Sequence, residues 1–364
     1  VTAFPTELNA IENRVRAIDP IKYSNTRNFQ GGAVTRLGPY ISRSVISTKL
    51  VLEHVKTLNL EWKQVEKMVQ ELAWRDYWQL VWIEKRDEIF QDLKHQQKPI
   101  SNHQIPEAIM NANTGIKAID EAIEELYEMG YMHNHMRMYV ASVCCNIAHS
   151  HWLEPAKWMY SHLLDGDIAS NHLSWQWVAG AFANKKYVAN QENINKYFNS
   201  QQRKTFLDVD YSEFEHLETP EHFNNTKPLG AKLSLPKNEK VNIESSKKTL
   251  IYNYYNIDPY WHQRADVQRI YLMEPSFYQK YPVSQKCINF ALELTQNIEG
   301  IKVFVGEFSA LNKILNSKLI HFKEHPSNDH YQGHQESRTW MTSVKGYYPS
   351  FFAYWKKAKK ELLY

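Results

Sequence analysis

Apolar residues recur three and four positions apart along 44–58 (SVISTKLVLEHVKTL), 62–90 (WKQVEKMVQELAWRDYWQLVWIEKRDEIF) and 116–132 (IKAIDEAIEELYEMGYM). That spacing predicts amphipathic helices, each with one face turned to a core. Pro39 interrupts the approach to the first, and Thr114-Gly115 opens the third. The run 136–148 (MRMYVASVCCNIA) is apolar on nearly every side, which predicts a central buried helix. From about residue 216 the pattern fades into a polar, proline-bearing stretch that reads as a linker or surface wrap. The period then changes. TLIYNYY, RIYLMEP, KVFVGEF and KLIHFKE are short β-rich runs, and the helix-length segment VSQKCINFALELTQNI lies between the second and third. Strand–helix–strand at that spacing predicts a small parallel α/β unit. The tail from about Ser337 is expected to turn helical again. The expected organisation is mainly α: a helical domain over 1–215, a linker over 216–247, and a small α/β domain with a helical tail over 248–364.

Composition narrows the class. Forty-three basic residues against 40 acidic ones leave a net charge of +3, so any basic surface is local. The three cysteines are too few for a disulfide scaffold and fit a reducing, cytoplasmic setting. No apolar run approaches the ~20 residues of a membrane helix, and the start VTAFPTELNA lacks the pattern of a signal peptide. A monomer with no membrane partner is expected. Aromatic residues are abundant at 13%, which suits a packed core but also the ring-lined sites that hold flavins and nucleobases.

The chemistry concentrates in 165–177, DGDIASNHLSWQW. Alone, this segment reads as a capped helix start with tryptophans in the core. It is accompanied, in order, by TRLGPYIS at 35–42, ELAWRDYW at 71–78 and GYMHNHMRM at 130–138. Glu71, Trp74 and Arg75 stand at i, i+3 and i+4, so they share a helix face, and Asn134, Arg137 and Met138 repeat the spacing. With these four motifs the chain resembles the flavin domain of the photolyase/cryptochrome family over roughly residues 5–195.

The resemblance implies an all-helical FAD-binding domain. The FAD phosphates would meet the turn Thr35, Arg36, Leu37 and Gly38 together with Arg75, with Tyr23 nearby. Val34 and Gly38 stand where relatives usually carry hydroxyls, which leaves phosphate binding there to backbone N–H groups. Arg137 would pair with Asp165, Asp167 would accept from the flavin ring or ribose side, and Asn171 would face the flavin N5. Trp175 and Trp152 match the inner and middle members of the family's electron-transfer chain. The outermost has no counterpart, since 95–113 holds no Trp or Tyr, and Trp158 or Tyr160 are candidate substitutes. In the substrate pocket, Glu71 matches the carboxyl group that bonds the damaged pyrimidines. Trp74 and Trp177 match the rings that pack on the flipped dimer, Asn134 and Met138 match further contacts, and Arg27 matches a cation on DNA phosphate. The set implies light-driven repair of cyclobutane pyrimidine dimers in UV-damaged DNA, with a cryptochrome-like photoreceptor as the alternative. DNA binding would rest on phosphate contacts; the basic stretch Lys185, Lys186, Lys196, Arg203 and Lys204 reads equally as a solvated face.

The domain order departs from the family, which places an α/β antenna domain first. RIYLMEPSFYQKYPVSQKCINFAL and IKVFVGEF are similar to part of that domain, which suggests a rearranged, reduced antenna-like unit. Whether it keeps an antenna chromophore is open, and a plain buttress is the alternative. His325, His330 and His334 are loosely spaced, lack a cysteine and sit in what reads as a loop, so no metal site is expected. His133 with His135 and His149 with His151 read as core or pocket histidines.

Overall fold

The computed structural model describes residues 3–230, 234–237 and 241–363. The first part of the chain is helical: α1 (Leu8–Arg16), α2 (Pro20–Thr26), α3 (Gly38–Ser42), α4 (Thr48–Thr57), α5 (Trp62–Lys85), α6 (Glu107–Met110), α7 (Lys117–Met129), α8 (Asn134–Ser142), α9 (Leu153–His162), α10 (Ile168–Ala179) and α11 (Gln191–Tyr197). Its only strands among the described residues are β1 (Ile105–Pro106) and β2 (Thr226–Lys227), a two-residue antiparallel pair. Then come β3 (Thr249–Tyr252), β4 (Gln268–Met273), α12 (Pro275–Lys280), α13 (Gln285–Thr295), β5 (Ile301–Val305), α14 (Phe308–Ile314), β6 (Ile320–Lys323), β7 (His334–Glu336) and α15 (Phe351–Leu362). The fold class is the expected one, mainly α followed by a small α/β part.

The five later strands form one parallel sheet in the order β5-β4-β3-β6-β7. The chain starts in the middle, builds outward to β5, then crosses to the other side, which is a doubly wound arrangement. β3 is buried along its whole length, as a central parallel strand covered on both faces should be. Its neighbours Ile270, Leu272, Ile320 and Phe322 continue that core.

Compactness divides the chain differently from its order. One unit gathers 1–20, 35–84 and 231–364; the other holds 21–34 and 85–230. The expected domains at 1–215 and 248–364 therefore describe the succession of elements, not the packing. Side-chain chemistry explains the first unit. Arg43, fully buried at the end of α3, lies 3.7 Å from the Tyr254 ring centre and donates to the Tyr254 carbonyl at 3.1 Å. Ser44 Oγ donates to Tyr255 O at 2.8 Å, and Asn297 Nδ2 donates to Thr6 O at 2.7 Å. Such bonds satisfy buried polar groups and so bind the early helices to the sheet.

The second unit is built around α7 to α10. Leu126, Met136, Val140, Trp152, Trp158 and Trp175 belong to one buried cluster. The expected central helix is α8, and it runs into a π-helical turn at Val143–Ile147 whose residues are all buried. α7 ends at Gly130 with φ +70°, where a Cβ would also meet the Leu164 side chain.

Three local expectations change. The expected linker 216–247 includes 231–233 and 238–240, which lie outside the described residues. Its earlier part is not a bare wrap, because β2 pairs with β1 and Phe223 is buried. The helical tail begins at Phe351, not near Ser337. The stretch around His334 is no loop, since His334–Glu336 forms β7 through backbone pairing with β6.

Candidate functional site

The residues assigned to cofactor and substrate fall into both compact units, so each set is taken on its own.

In the first unit, Glu71, Trp74 and Arg75 lie on α5 and are partly exposed, as their shared face predicts. Arg75 Nη1 donates to Ser42 Oγ at 3.2 Å, which brings a guanidinium beside a hydroxyl at the end of α3. The turn before α3 carries Arg36 with φ +51°, a left-handed conformation that is costly for a residue with a Cβ. Leu37 N donates to Thr35 Oγ1 at 3.4 Å, and Leu37 is buried while Arg36 is exposed. Glu71 forms an ion pair with Lys67 at 2.8 Å, one turn earlier on the same helix. Trp74 stacks on Phe351 of α15 with ring centres 3.7 Å apart and planes 9° apart. One face of the ring expected to pack on a lesion thus carries a side chain of the protein itself.

In the second unit, α8 and α10 present the other set. Arg137 Nη2 reaches both Asp165 oxygens at 3.0 Å, and its Nε donates to Met132 O at 2.9 Å. The expected pair is therefore formed, with Asp165 buried and charge-assisted bonds on both oxygens. Gly166 follows because nothing larger fits: a Cβ would stand 2.9 Å from the carbonyl oxygens of Tyr160 and Leu163. Asp167 caps α10, accepting from Ser170 N at 2.7 Å. Asn171 Nδ2 donates to Ala156 O at 2.8 Å, which fixes which end of the amide meets α9. Trp175 lies one turn further along α10 on the same side and is buried, whereas Trp177 is exposed and tilted against Tyr187 at 5.9 Å. Asn134 is exposed at the start of α8 and Met138 is half-buried. Burial pushes the preceding His133 down to about 4, with His135 and the Arg137 guanidinium beside it also disfavouring its charged form, so its neutral Nδ1 can accept from His135 N. Tyr23 and Arg27 lie on or just past α2, where Arg27 Nη1 donates to Ser24 O at 2.8 Å.

Several partners were invisible in the sequence. Trp152 is fully buried, and its indole Nε1 donates to Asp92 Oδ1 at 2.7 Å, 60 residues away. His172 meets Trp152 edge-on at 6.1 Å and Phe90 at 5.5 Å; burial pushes it down to about 3, so it is neutral. Nothing in the spacing of Trp152 signals Asp92, because the link is made by loop packing. His172 was next to the noted Asn171 but carried no pattern of its own.

At the carboxyl ends of β3 and β4, where doubly wound sheets take ligands, Tyr254, Tyr255, Phe277, Tyr278 and Tyr331 line a small pocket with room for about one water, too small for an organic ligand.

The donor sets fit a flavin dinucleotide chemically. Arg75 and the Ser42 hydroxyl suit phosphate oxygens, and carboxylates with a carboxamide complement a ring bearing N–H and C=O groups. No helix among the described residues is long and apolar enough to cross a membrane.

Comparison with known proteins bears on this geometry. Residues 68–212 match the family model described as the FAD binding domain of DNA photolyase. A Streptomyces griseus deoxyribodipyrimidine photo-lyase is 31% identical over 154 residues, 42% of this chain and 33% of that protein. A cryptochrome DASH of Danio rerio is 28% identical over 185 residues, 49% of this chain and 34% of that protein. A solved Synechocystis cryptochrome covers 54% of this chain and 44% of its own, at 24% identity and a TM-score of 0.49. The aligned part spans about a third of the length of the curated relatives. Over this span, which contains Arg137, Asp165, Asp167 and Asn171, the chain is similar to the FAD-binding domain shared by photolyases and cryptochromes.

Proposed function

We propose that the protein binds FAD and uses blue light to drive electron transfer, and that its substrate is a cyclobutane pyrimidine dimer in DNA. The observation that carries the flavin reading is the Arg137–Asp165 pair with Asp167 and Asn171 on the adjoining turn and helix, inside the matched FAD-binding segment. Bound FAD supplies the light-driven electron. The chain's residues do the rest. Arg137 neutralises and orients Asp165. Asn171, held by Ala156, offers an uncharged amide that tolerates a change of charge beside it. Arg75 with Ser42 holds phosphate. Trp175 and Trp152 would pass an electron from an added reductant toward the flavin, with the Asp92 carboxylate, hydrogen-bonded to the Trp152 indole, placed to stabilise positive charge there. Glu71 bonds the dimer, for which its carboxylate must share or leave Lys67. Trp74 and Trp177 pack on the extruded bases, whose unstacking costs least at a lesion. Arg27 meets DNA phosphate, so binding weakens with salt.

A second reading, a photoreceptor that does not repair, is favoured by one observation: the Trp74 face is covered by Phe351. The relatives' names include both photolyases and cryptochromes. The test is repair itself. Protein carrying reduced FAD should restore dimer-containing oligonucleotides under blue light, and Glu71→Gln should lower the repair rate while flavin stays bound. Dimers left intact by fully loaded wild-type protein would leave the photoreceptor reading standing.

A further inference from the structure

The edge of the sheet brings together side chains that no flavin chemistry uses. β6 and β7 run parallel with His321 opposite His334. Residues two apart on a strand share a face, so Glu336 joins His334 on the side of His321. One donor atom from each of the three lies within 4.8 Å of the others. The β3–β4 connection adds a fourth group, His262, whose Nε2 is 3.0 Å from Glu336 Oε1. His321 Nδ1 is 3.1 Å from the same oxygen, and the His321 and His334 ring centres are 4.7 Å apart.

We propose that His262, His321, His334 and Glu336 form a binding site for a divalent transition-metal ion of the zinc type. Three imidazoles and one carboxylate, without a thiolate, are the donor set that such ions take from nitrogen and oxygen ligands. Bonds of about 2.1 Å in a tetrahedron put ligand atoms about 3.4 Å apart. The two histidine–carboxylate separations, 3.0 and 3.1 Å, are already near that edge, and rotation of the exposed His334 side chain brings the third imidazole toward it. The carboxylate is also oriented from behind: Trp261 Nε1 donates to Glu336 Oε2 at 2.9 Å, the outer hydrogen bond that metal-binding carboxylates commonly have. Lys323, opposite Glu336 across β6 and β7, is paired with Asp258 at 2.5 Å and is thereby drawn to another carboxylate. His334 is exposed and gives an ion its way in. A bound ion ties the β3–β4 connection to the short edge strand β7.

The experiment is equilibrium dialysis of the full chain, stripped with EDTA, against zinc chloride, with His334→Ala and His321→Ala compared. Glu336 also serves Trp261, His262 and His321, so a Glu336 variant risks misfolding. His334 has no such duty, and far-UV circular dichroism checks the fold of each variant. The expected result is one zinc per wild-type chain, with at least a tenfold loss of affinity in His334→Ala and no comparable binding of calcium or magnesium. Equal zinc affinity in wild-type and His334→Ala chains, or no stoichiometric zinc in the wild type, overturns the site. Flavin binding is not part of this readout, so the result stands apart from the flavin reading.

Discussion

Single residues set the site's electrostatics through burial more than through sequence spacing. His172 illustrates this. It is fully enclosed, its Nδ1 faces Ile168 O at 3.0 Å, and burial pushes it from 6.5 down to about 3. An unfolded chain takes a proton on this imidazole near pH 6.5 while the folded chain refuses it. The stability gained by keeping it neutral is therefore complete above about pH 6.5 and drains away as pH falls from there toward 3. One such proton is worth up to ~1.4 kcal/mol per pH unit. His172→Phe should flatten the pH dependence of urea-unfolding stability between pH 6.5 and 4. An unchanged slope would show that other groups carry it. The DGD…N motif was legible as a capped helix start: Asp167 caps α10 and Asn171 follows one turn in. The partner of Asn171, Ala156, and that of Trp152, Asp92, were not, because a side chain's bond to a distant segment leaves no periodic trace.

Elements were readable where they repeat and opaque where they are short. α4, α5 and α7 follow the 3.6-residue apolar rhythm, and β3 to β6 follow their β-rich runs. β7 did not declare itself, since His334, Gln335 and Glu336 carry no apolar alternation and their strand exists only through pairing with β6. α15 was expected only as a helical tail, yet its packing bears on function. Phe351 stacks on Trp74, Tyr354 lies 5.7 Å from Tyr77, and Trp355 stacks on Trp62 at 6.4 Å. Lys359 bonds Glu66 at 2.5 Å, a further tie between the two helices. If a flipped dimer packs on this face of Trp74, it must displace Phe351. Phe351→Leu keeps apolar volume and removes the stacked pair, so it should cost about 1 kcal/mol of stability and tighten binding of a dimer-containing oligonucleotide. Trp74→Ala should weaken that binding by about 1–3 kcal/mol, the scale of a base–aromatic stack. A folded Phe351→Leu protein with unaltered dimer affinity would show that this face of Trp74 is not where the lesion sits.

At the scale of the whole molecule, the order helical-then-α/β was legible, and the division into compact units was not. Arg43, Ser44 and Asn297 fasten the N-terminal helices to the sheet and the helix beside it through buried or half-buried hydrogen bonds. Those bonds join residues more than 200 positions apart, beyond what local composition reports. The same long-range assembly gathers the four groups of the proposed metal site from a connection and two strands. The resemblance carried over specific motifs, but it covered only the first half of the chain, and the sheet had to be read from its own pairing.

The claim on which the account turns is that this chain holds FAD and that light changes the flavin's redox state. The most direct measurement is the visible absorption of the purified full chain before and during blue illumination with a reductant present. The account predicts about one FAD per chain with an oxidised-flavin absorption that bleaches under light. A chain that carries no flavin and fails to take up added FAD would contradict it.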